Sequence, residues 1–581
     1  MEAADKLSTV KLQSVTKLPE NTNCLACSED GRFLCLGHAR GLSVWCASTL
    51  MRVAEWLQDR LEITSVQMTR AAESTYLLGT VDDMGVARVF AQHFDSIYLL
   101  SVINVMEDIN KRSICLAFEL TEGGRYAAAS VSCNGTTWLE VYQFPSGLWL
   151  KELELMRSQE QDSKPTGDFK WSSVTMVIKI KPPKIPAGKP VDGEPDIAQT
   201  SDFMMHCLTL DVIRSSSRRW EKQSCKTDAE ETKEPNKSPR RCTQHFLLPC
   251  GQFTGETKAD YQPGFPLAVA VWWSGSHNLL QYSLQRTPKT KADVEPLPDV
   301  VWPNANEILC SAVSRSTRYV ALGLGDALVC VCDRLSGAPL SVVLEPTSNS
   351  AFFRMQFVDF WPLLADDSHI FTADKVCLLV LCKSGAIHTV TMGRGTKSCT
   401  KQLSGRPKDP GDIPITIISV PFLQGLSLVV QMNGKIFLQD VLGNRTVCFL
   451  TPPTTHLITT PCNPVYALNT VQQSLFIRGD PEKSCTASSK EGSQSQLLSF
   501  HFKGSAIIEQ YEGPLPHPPL QQAALSHATL EEACNLYLQQ RVLSVDERNR
   551  SLRQTWEQLQ EAAVTVQQRQ QSVRQPTNGS K

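Results

Sequence analysis

A short unit of turn, strand, turn and strand recurs along this chain and limits its fold more than any other feature. The clearest copy is residues 28–46, SEDGRFLCLGHARGLSVWC, in which Asp30-Gly31 predicts a tight turn and alternating residues predict two strands. Three further copies are TYLLGTVDDMGVARVF (75–90), GGRYAAASVSCNGTTWLEVY (123–142) and STRYVALGLGDALVCVCD (316–333). The first and third copies imply a period of about 46 residues, within the ~40–50 residues of one four-stranded propeller blade.

Less regular strand pairs continue this pattern towards residue 510. They are FFRMQFVDF with VCLLVLCKSGAIHTVTM, ITIISV with GLSLVVQMNGKIFLQDV, and PVYALNTVQQSLFIRG with SQLLSFHF. A broken unit, VTMVIKI with PLAVAVWWSGSHNLLQYSL, brings the number of blades to seven or eight. The sequence therefore predicts an all-β fold, a β-propeller of seven or eight blades over residues 1–510, which accounts for most of the 581 residues without a second core.

The broken unit is interrupted by a long polar segment, residues 182–262. Its stretches KPPKIPAGKPVDGEP and RSSSRRWEKQSCKTDAEETKEPNKSPRR have too few apolar residues to order themselves, so we expect a largely disordered insertion within one blade. An apolar stretch inside it, MMHCLTLDVI (204–213), is a candidate for returning to the sheet. Ser238 precedes a proline and two arginines and is a candidate phosphorylation site; an unmodified, solvated loop is the alternative.

The chain changes character after residue 510. A Pro-rich spacer (511–524) precedes a helical, coiled-coil-like extension (525–575), in which apolar residues recur at intervals of three and four. Leu552, Trp556 and Leu559 form its apolar ridge, and we predict that they bind another protein or a second copy of the chain. Packing of the ridge on the chain's own propeller is the alternative.

Charge and hydropathy argue against a nucleic-acid-binding protein and against a membrane-spanning one. The chain carries 57 basic and 59 acidic residues, so it lacks the basic footprint of a nucleic-acid-binding protein. Its opening segment resembles no targeting peptide, and no apolar run approaches the ~18 residues of a membrane span. We expect a soluble cytoplasmic protein with its 20 cysteines reduced and no membrane insertion.

No motif in the sequence points to a catalytic, cofactor or metal site. The pair Gly323 and Gly325 lies between two strands without the helix of a dinucleotide fingerprint, and GRGTKS (393–398) has the wrong residue order for a P-loop. Cys24 and Cys27 are three apart in a predicted strand, which points them to opposite faces and argues against zinc. The strands expected to line the channel read as small apolar residues: Ala127, Ala128, Ala129 and Ala321. The sequence thus predicts no enzyme and no cofactor.

The copy at 316–333 matches the spacing of a WD repeat. Gly323 falls at the end of its first strand, Asp326 in its second turn, and Cys332-Asp333 where Trp-Asp would stand. The chain is therefore similar to degenerate WD-repeat propellers. The bulky or sulfur-bearing residue that closes each copy is predicted to pack between blades: Trp45, Phe90, Tyr142 and Cys332.

The degenerate WD units, the long charged loop and the glutamine-rich C-terminal helix together resemble the WD repeat-containing protein 93 family. The resemblance implies a scaffold in the axoneme of motile cilia and sperm flagella, among the scaffold proteins of the central-pair projections. A cytosolic adaptor that binds a peptide in signalling or protein turnover is the alternative. A ring of arginines on the turns of one face would favour the adaptor, and only Arg40 is placed to contribute to one.

Overall fold

The computed structural model describes most of the chain between residues 9 and 511. The described residues are 9–10, 12–104, 113–161, 170–183, 241–249, 265–285, 296–304, 306–334, 338–344, 352–358, 376–393, 396–441, 443–453, 456–458, 464–481, 494–505, 507–511, 550, 553, 557 and 564. Over these ranges the strands form eight sheets, which are the blades of one β-propeller. The all-β prediction is confirmed, with the number of blades at eight.

Blades 1 to 7 are each built around a meander of four antiparallel strands, and two further strands, β1 (Thr9–Val10) and β2 (Leu12–Lys17), precede the first blade. Blade 1 contains β3 (Cys24–Cys27), β4 (Phe33–His38), β5 (Gly41–Cys46) and β6 (Arg52–Leu57), and blade 2 contains β7 (Ile63–Ala72), β8 (Thr75–Asp82), β9 (Ala87–His93) and β10 (Ser96–Val102). Blade 3 contains β11 (Ile114–Leu120), β12 (Tyr126–Cys133), β13 (Thr136–Gln143) and β14 (Thr175–Ile180), and blade 4 contains β15 (Cys242–Leu247), β16 (Ala268–Trp273), β17 (Asn278–Ser283) and β18 (Val300–Pro303).

The second half of the ring repeats this arrangement. Blade 5 contains β19 (Ile308–Val313), β20 (Tyr319–Leu324), β21 (Leu328–Asp333) and β22 (Ala338–Leu344), and blade 6 contains β23 (Phe352–Val358), β24 (Val376–Cys382), β25 (Ile387–Gly393) and β26 (Thr396–Ser404). Blade 7 contains β27 (Pro414–Ser419), β28 (Leu426–Gln431), β29 (Ile436–Asp440) and β30 (Arg445–Leu450). The short strand β31 (His456–Leu457) leads into blade 8, which contains β32 (Tyr466–Asn469), β33 (Ser474–Pro481) and β34 (Gln496–His501).

The N-terminal segment closes the ring by supplying the fourth strand of blade 8. Strand β2 pairs antiparallel with β34, with Leu12 opposite Phe500 and Lys17 opposite Gln496. Strand β1 pairs in parallel with β30 of blade 7. The two ends of the propeller are therefore held together by strand pairing, which removes the open edge that an incomplete blade would leave.

The turn predicted at Asp30-Gly31 joins β3 to β4 and also holds blade 1 against its neighbours. Gly31 has a φ of 68°, and the Cβ of any other residue there would lie 2.8 Å from the Cβ of Val471 in blade 8. The Asp30 carboxylate accepts hydrogen bonds from Ser28 Oγ at 2.7 Å and from the Tyr76 hydroxyl of blade 2. The Asp-Gly pair is thus required by backbone geometry on one side and by contacts between blades on the other.

The first strand of each blade lies at the inner edge of the sheet, where neighbouring first strands contact one another around the channel. The alanines expected to line the channel lie instead on second strands, Ala127 to Ala129 on β12 and Ala321 on β20, and all are buried between blades. The assignment of these alanines to the channel is wrong because the second strand is buried on both faces between neighbouring blades, where small apolar residues also fit. The true inner strands carry polar side chains such as Gln67, Glu119 and Gln244.

The predicted position of the insertion, within one blade, is also wrong. VTMVIKI forms β14, the last strand of blade 3, whereas PLAVAVWW begins the second strand of blade 4. Residues 242–247, which fell inside the predicted insertion, form the inner strand of blade 4 and pair with β16. The long polar segment therefore connects two complete blades, and MMHCLTLDVI lies outside the described residues.

In the described part of the ring, a helix, α1 (Ser146–Gln161), interrupts blade 3 between β13 and β14, where the sequence analysis predicts no helix. Trp149, Leu153 and Met156 are buried on its inner face, because positions four and three apart share one side of a helix. The Trp149 indole donates a 2.8 Å hydrogen bond to the carbonyl of Ser172, on the segment that returns to β14. The helix thereby covers the outer part of blades 2 and 3.

Candidate functional site

A cleft with a volume of about 490 Å³ opens at the mouth of the channel between blades 2 and 3. It lies on the face where the inner strands begin, which also carries the turns between the second and third strands of the blades. Its lining comes from three successive blades: Thr64, Ser65, Gln67, Val81, Asp82, Asp83, Gly85, Ile114, Cys115, Leu116, Ala117, Phe118, Glu119 and Gln244. A volume of this size is within the ~300–1,000 Å³ typical of ligand-binding pockets.

Irregular pairing of the inner strands shapes the cleft. The register of β11 against β12 shifts between Cys115 and Ala117, so Leu116 is the extra residue of a β-bulge. Leu116 is 49% exposed and Ile114 is 40% exposed, and both line the opening. The bulge therefore turns apolar side chains towards the channel mouth, where a regular inner strand would direct them between blades.

A buried asparagine fixes the chain that enters β11. The Asn104 amide donates hydrogen bonds to the carbonyls of Gly85, at 2.8 Å, and Ser113, at 3.0 Å. Its side-chain oxygen accepts a 2.7 Å hydrogen bond from the backbone of Ala87. These bonds tie the start of blade 3 to the turn between β8 and β9, so the rim of the cleft is held in place before any partner arrives.

Among the described residues that line the cleft, three are carboxylates and none is basic. Asp82 is buried and compensated, since it accepts a 2.7 Å bond from the backbone of Val86 and pairs with the Arg88 guanidinium. Asp83 is exposed at the rim. Glu119 lies at the floor, where Gln244 of blade 4 donates a 3.3 Å hydrogen bond to its carboxylate. The uncompensated negative charge in the cleft therefore comes from Asp83 and Glu119.

The environment of Glu119 disfavours its ionised form. Burial raises its pKa to about 7, and the hydrogen bond from Gln244 offsets only part of that effect. The neighbouring Gln67 side chain accepts a 2.7 Å bond from the backbone of Leu120, which joins β7 to β11 beneath the cleft. The floor is thus a polar seam between blades 2, 3 and 4, and the rim carries the apolar side chains of Ile114 and Leu116 beside Asp83. An acidic floor below an apolar rim is suited to recognising a cationic group on an apolar carrier.

A second polar group on the inner strands, His245, has a structural role. Its Nε2 lies 2.7 Å from the Ser311 hydroxyl of blade 5, and the Trp272 indole donates to the same hydroxyl at 2.8 Å. Burial lowers the pKa of His245 to about 4, so the imidazole is neutral in the physiological range. The contacts of the Ser311 hydroxyl with His245 and Trp272 therefore link blade 5 to blade 4.

The four residues predicted to pack between blades occupy equivalent places on third strands, and each lies towards the preceding blade. Trp45 is 8% exposed and packs among Leu34 and residues of blade 8. Phe90 is fully buried against blade 1, with its ring centroid 4.7 Å from that of Trp56. Tyr142 is half-buried between blades 2 and 3, and Cys332 is buried between blades 4 and 5.

The predicted partner-binding and modification residues lie outside the described residues. This holds for Leu552, Trp556 and Leu559 and for Ser238. Nearby, Arg553 and Glu557 are helical and exposed. The last described part of the ring reaches residue 511, where the Tyr511 hydroxyl donates a 2.9 Å bond to Asp440 of blade 7; residue 511 therefore belongs to the ring rather than to the predicted spacer.

The motifs set aside on sequence grounds occupy structural positions. Gly323 lies in β20, and a 3₁₀ turn, Gly325–Ala327, leads from it to β21. The first residue of GRGTKS, Gly393, ends β25, and its last three residues begin β26. Cys24 packs between blades 1 and 2 while Cys27 packs between blades 8 and 1, so the two thiols point to opposite faces of the sheet. In the part of the chain that the structure describes, no helix has the length and apolar character to cross a membrane.

Comparison with known proteins identifies the repeat family. Residues 22–329, which make up more than half of the chain, match the family described as WD repeat-containing protein 93. The chain belongs to this family. It is built from WD repeats, and its eight-bladed ring is an architecture for binding other proteins.

Solved structures with low sequence identity are similar to the chain. Sqt1 of Chaetomium thermophilum, bound to the N-terminus of the ribosomal protein L10, has 12% identity and a TM-score of 0.45, with 85% of this chain and 100% of that chain covered. The C-terminal WD40 domain of Sif2 has 7% identity and a TM-score of 0.44, with 85% and 99% covered. Raptor of Chaetomium thermophilum has 10% identity and a TM-score of 0.37; 86% of this chain is covered, but the match spans only 29% of Raptor.

Proposed function

We propose that this protein is a non-enzymatic scaffold of a large assembly, the central apparatus of the axoneme in motile cilia and sperm flagella. The observation that carries the proposal is the family match over residues 22–329. The ciliary assignment rests on the family resemblance, and the scaffold assignment rests also on the architecture. A rigid ring holds several separated surfaces in fixed relation, so modest contacts at each surface add up to stable assembly.

Localisation of the endogenous protein tests the ciliary assignment. An epitope tag at the chromosomal locus, examined by immunofluorescence in multiciliated cells, should label the core of each cilium along its length. Diffuse cytosolic signal, or equal expression in cells without motile cilia, would contradict the proposal. Either result would favour the alternative function, a cytosolic adaptor that binds a peptide partner.

The C-terminal helix is proposed to dock the ring to its assembly. Because the ring is complete at residue 511, a chain lacking residues 520–581 should fold but be lost from the axoneme. Replacement of Leu552, Trp556 and Leu559 together by alanine should have the same effect. Alanine at Arg553 and Glu557, which are helical and exposed, is the matched control and should leave incorporation unchanged. Normal incorporation of the truncated chain would show that the helix is not the docking element.

A further inference from the structure

We propose that the channel-mouth cleft binds an extended segment of a partner protein in which a lysine or arginine is flanked by apolar side chains. The inference rests on the proposed scaffold function in supposing a protein partner. It specifies which kind of side chain this part of the ring recognises.

Large apolar side chains at the rim of the cleft are exposed to solvent, and a bound partner would cover them. Ile114 and Leu116 are 40% and 49% exposed at its rim, and Met84, in the adjoining turn, is 44% exposed. Elsewhere on β11, Cys115 and Phe118 are buried, Ala117 is exposed, and Glu119 is half-buried. Covering such side chains would favour binding, because it removes apolar surface from water.

The charge of the cleft selects a cation. Of its three carboxylates, Asp82 is already paired with Arg88, which leaves Asp83 at the rim and Glu119 at the floor. Glu119 receives a single 3.3 Å hydrogen bond from Gln244 among the bonds described, and its ionised form is poorly solvated. A guanidinium or ammonium group placed over the floor would supply the missing compensation. An acidic or phosphorylated peptide would instead meet like charge.

The shape of the cleft favours an extended segment. Strand β11 is paired with β12 on one side only, so its other edge faces the channel beside the floor. An extended chain places alternate side chains on the same side, about 6–7 Å apart, which matches one cation at the floor and apolar neighbours at the rim. A free small cation would bind the floor alone and leave Ile114 and Leu116 exposed.

A binding experiment on the full chain tests the inference with defined peptides. The probe is Leu-Ala-Arg-Ala-Leu-amide labelled with fluorescein at its N-terminus, and the comparison peptide has norleucine in place of arginine. Fluorescence polarisation should give saturable binding for the arginine peptide and affinity at least about tenfold weaker for the norleucine peptide. Spermidine should compete only weakly, because it lacks the apolar flanks.

Variants of the chain assign the binding to the cleft. Glu119→Gln should weaken the arginine peptide by about tenfold, and Leu116→Ser should weaken both peptides. Glu73→Gln, which removes an exposed carboxylate between β7 and β8 at the opposite face of blade 2, is the matched control and should change neither affinity. Circular dichroism of each variant establishes that the ring is folded. A benzoylphenylalanine in place of one leucine should crosslink to residues 114–119.

Several results would overturn the inference. They are equal affinity for the two peptides, unchanged affinity of Glu119→Gln, and a crosslink on another blade. Concentration-dependent dimerisation that the peptide reverses would assign the cleft to a second copy of the chain and would also overturn it. The outcome is separable from the ciliary proposal, because a protein absent from cilia can still bind the arginine peptide.

Discussion

Removing the N-terminal strand should destabilise the entire ring, although this strand is a small part of the chain. Strand β2 forms five residue pairs with β34 and covers the edge of blade 8, whose Leu497, Leu498 and Phe500 are fully buried. The same segment inserts Val10 and Leu18 into the core, at 5% and 1% exposure. Deletion of residues 2–18 removes all of these contacts at once.

The expected loss can be worked out from these contacts. Burial of a Val or Leu side chain contributes about 1.5–3 kcal/mol, so Val10 and Leu18 together contribute about 3–6 kcal/mol. The ladder hydrogen bonds with β34 add about 0.5–1.5 kcal/mol each. The sum is comparable to the ~5–15 kcal/mol by which a folded domain is stable. We therefore expect the truncated chain to lose cooperative unfolding and to be cleaved rapidly by protease.

Thermal unfolding followed by circular dichroism measures the loss of stability, and point variants show how much individual side chains contribute to it. Leu18→Ala should cost about 2–5 kcal/mol, because it leaves a cavity in the closed ring. Val15→Ala is the matched control, since Val15 lies in β2, three residues before Leu18, but is 43% exposed, and it should cost less than about 1 kcal/mol. A synthetic peptide of residues 9–20 should partly restore the truncated chain. A truncated chain that melts like the full chain would refute the reasoning that strand pairing closes the ring.

Three further predictions follow from the described contacts. Gly31→Ala should destabilise the protein by more than Gly135→Ala, because both have a positive φ but only Gly31 is crowded by blade 8; melting temperatures of the two variants check this, and equal losses would contradict it. Burial raises the pKa of Glu119 to about 7, so the folded chain binds a proton more tightly than the unfolded chain and loses stability as the pH rises from about 4.5 to about 7. Glu119→Gln should therefore stabilise the protein at pH 8 by about 2 kcal/mol and by less at pH 5, whereas a pH-independent effect in chemical denaturation would argue against a raised pKa. Trp149→Ala should release helix α1 from blade 3, seen as faster amide exchange over residues 146–156 and little change in blades 5 to 7; unchanged exchange in the helix would contradict its anchoring role.

The parts of the fold that follow from local patterns could be predicted from the sequence. Alternating strands and Asp-Gly turns identified the blades around Gly31, and the side chain closing each third strand pointed to Trp45 and Phe90 as residues at blade boundaries. These features depend on residues close together in the chain. The helix α1 also had a local signal, since Trp149, Leu153 and Met156 follow helical spacing, but the expectation of a continuous β pattern hid it.

The parts that depend on distant residues could not be predicted. Closure of the ring pairs Leu12 with Phe500, and no local pattern indicates which blade the N-terminal strand completes. The border between blades 3 and 4 was misplaced because β15, CTQHFL, follows a long polar segment and resembles its surroundings. The cleft draws Gln67, Glu119 and Gln244 from three blades, and only the ring brings them together.

The most direct test of the central claim compares isolated axonemes that contain the central pair with axonemes from cells that lack it. If the protein is a scaffold of the central apparatus, quantitative mass spectrometry should find it in the first preparation and strongly depleted in the second, while outer-doublet proteins are equal in both. Equal amounts of the protein in the two preparations, or its absence from both, would contradict the account.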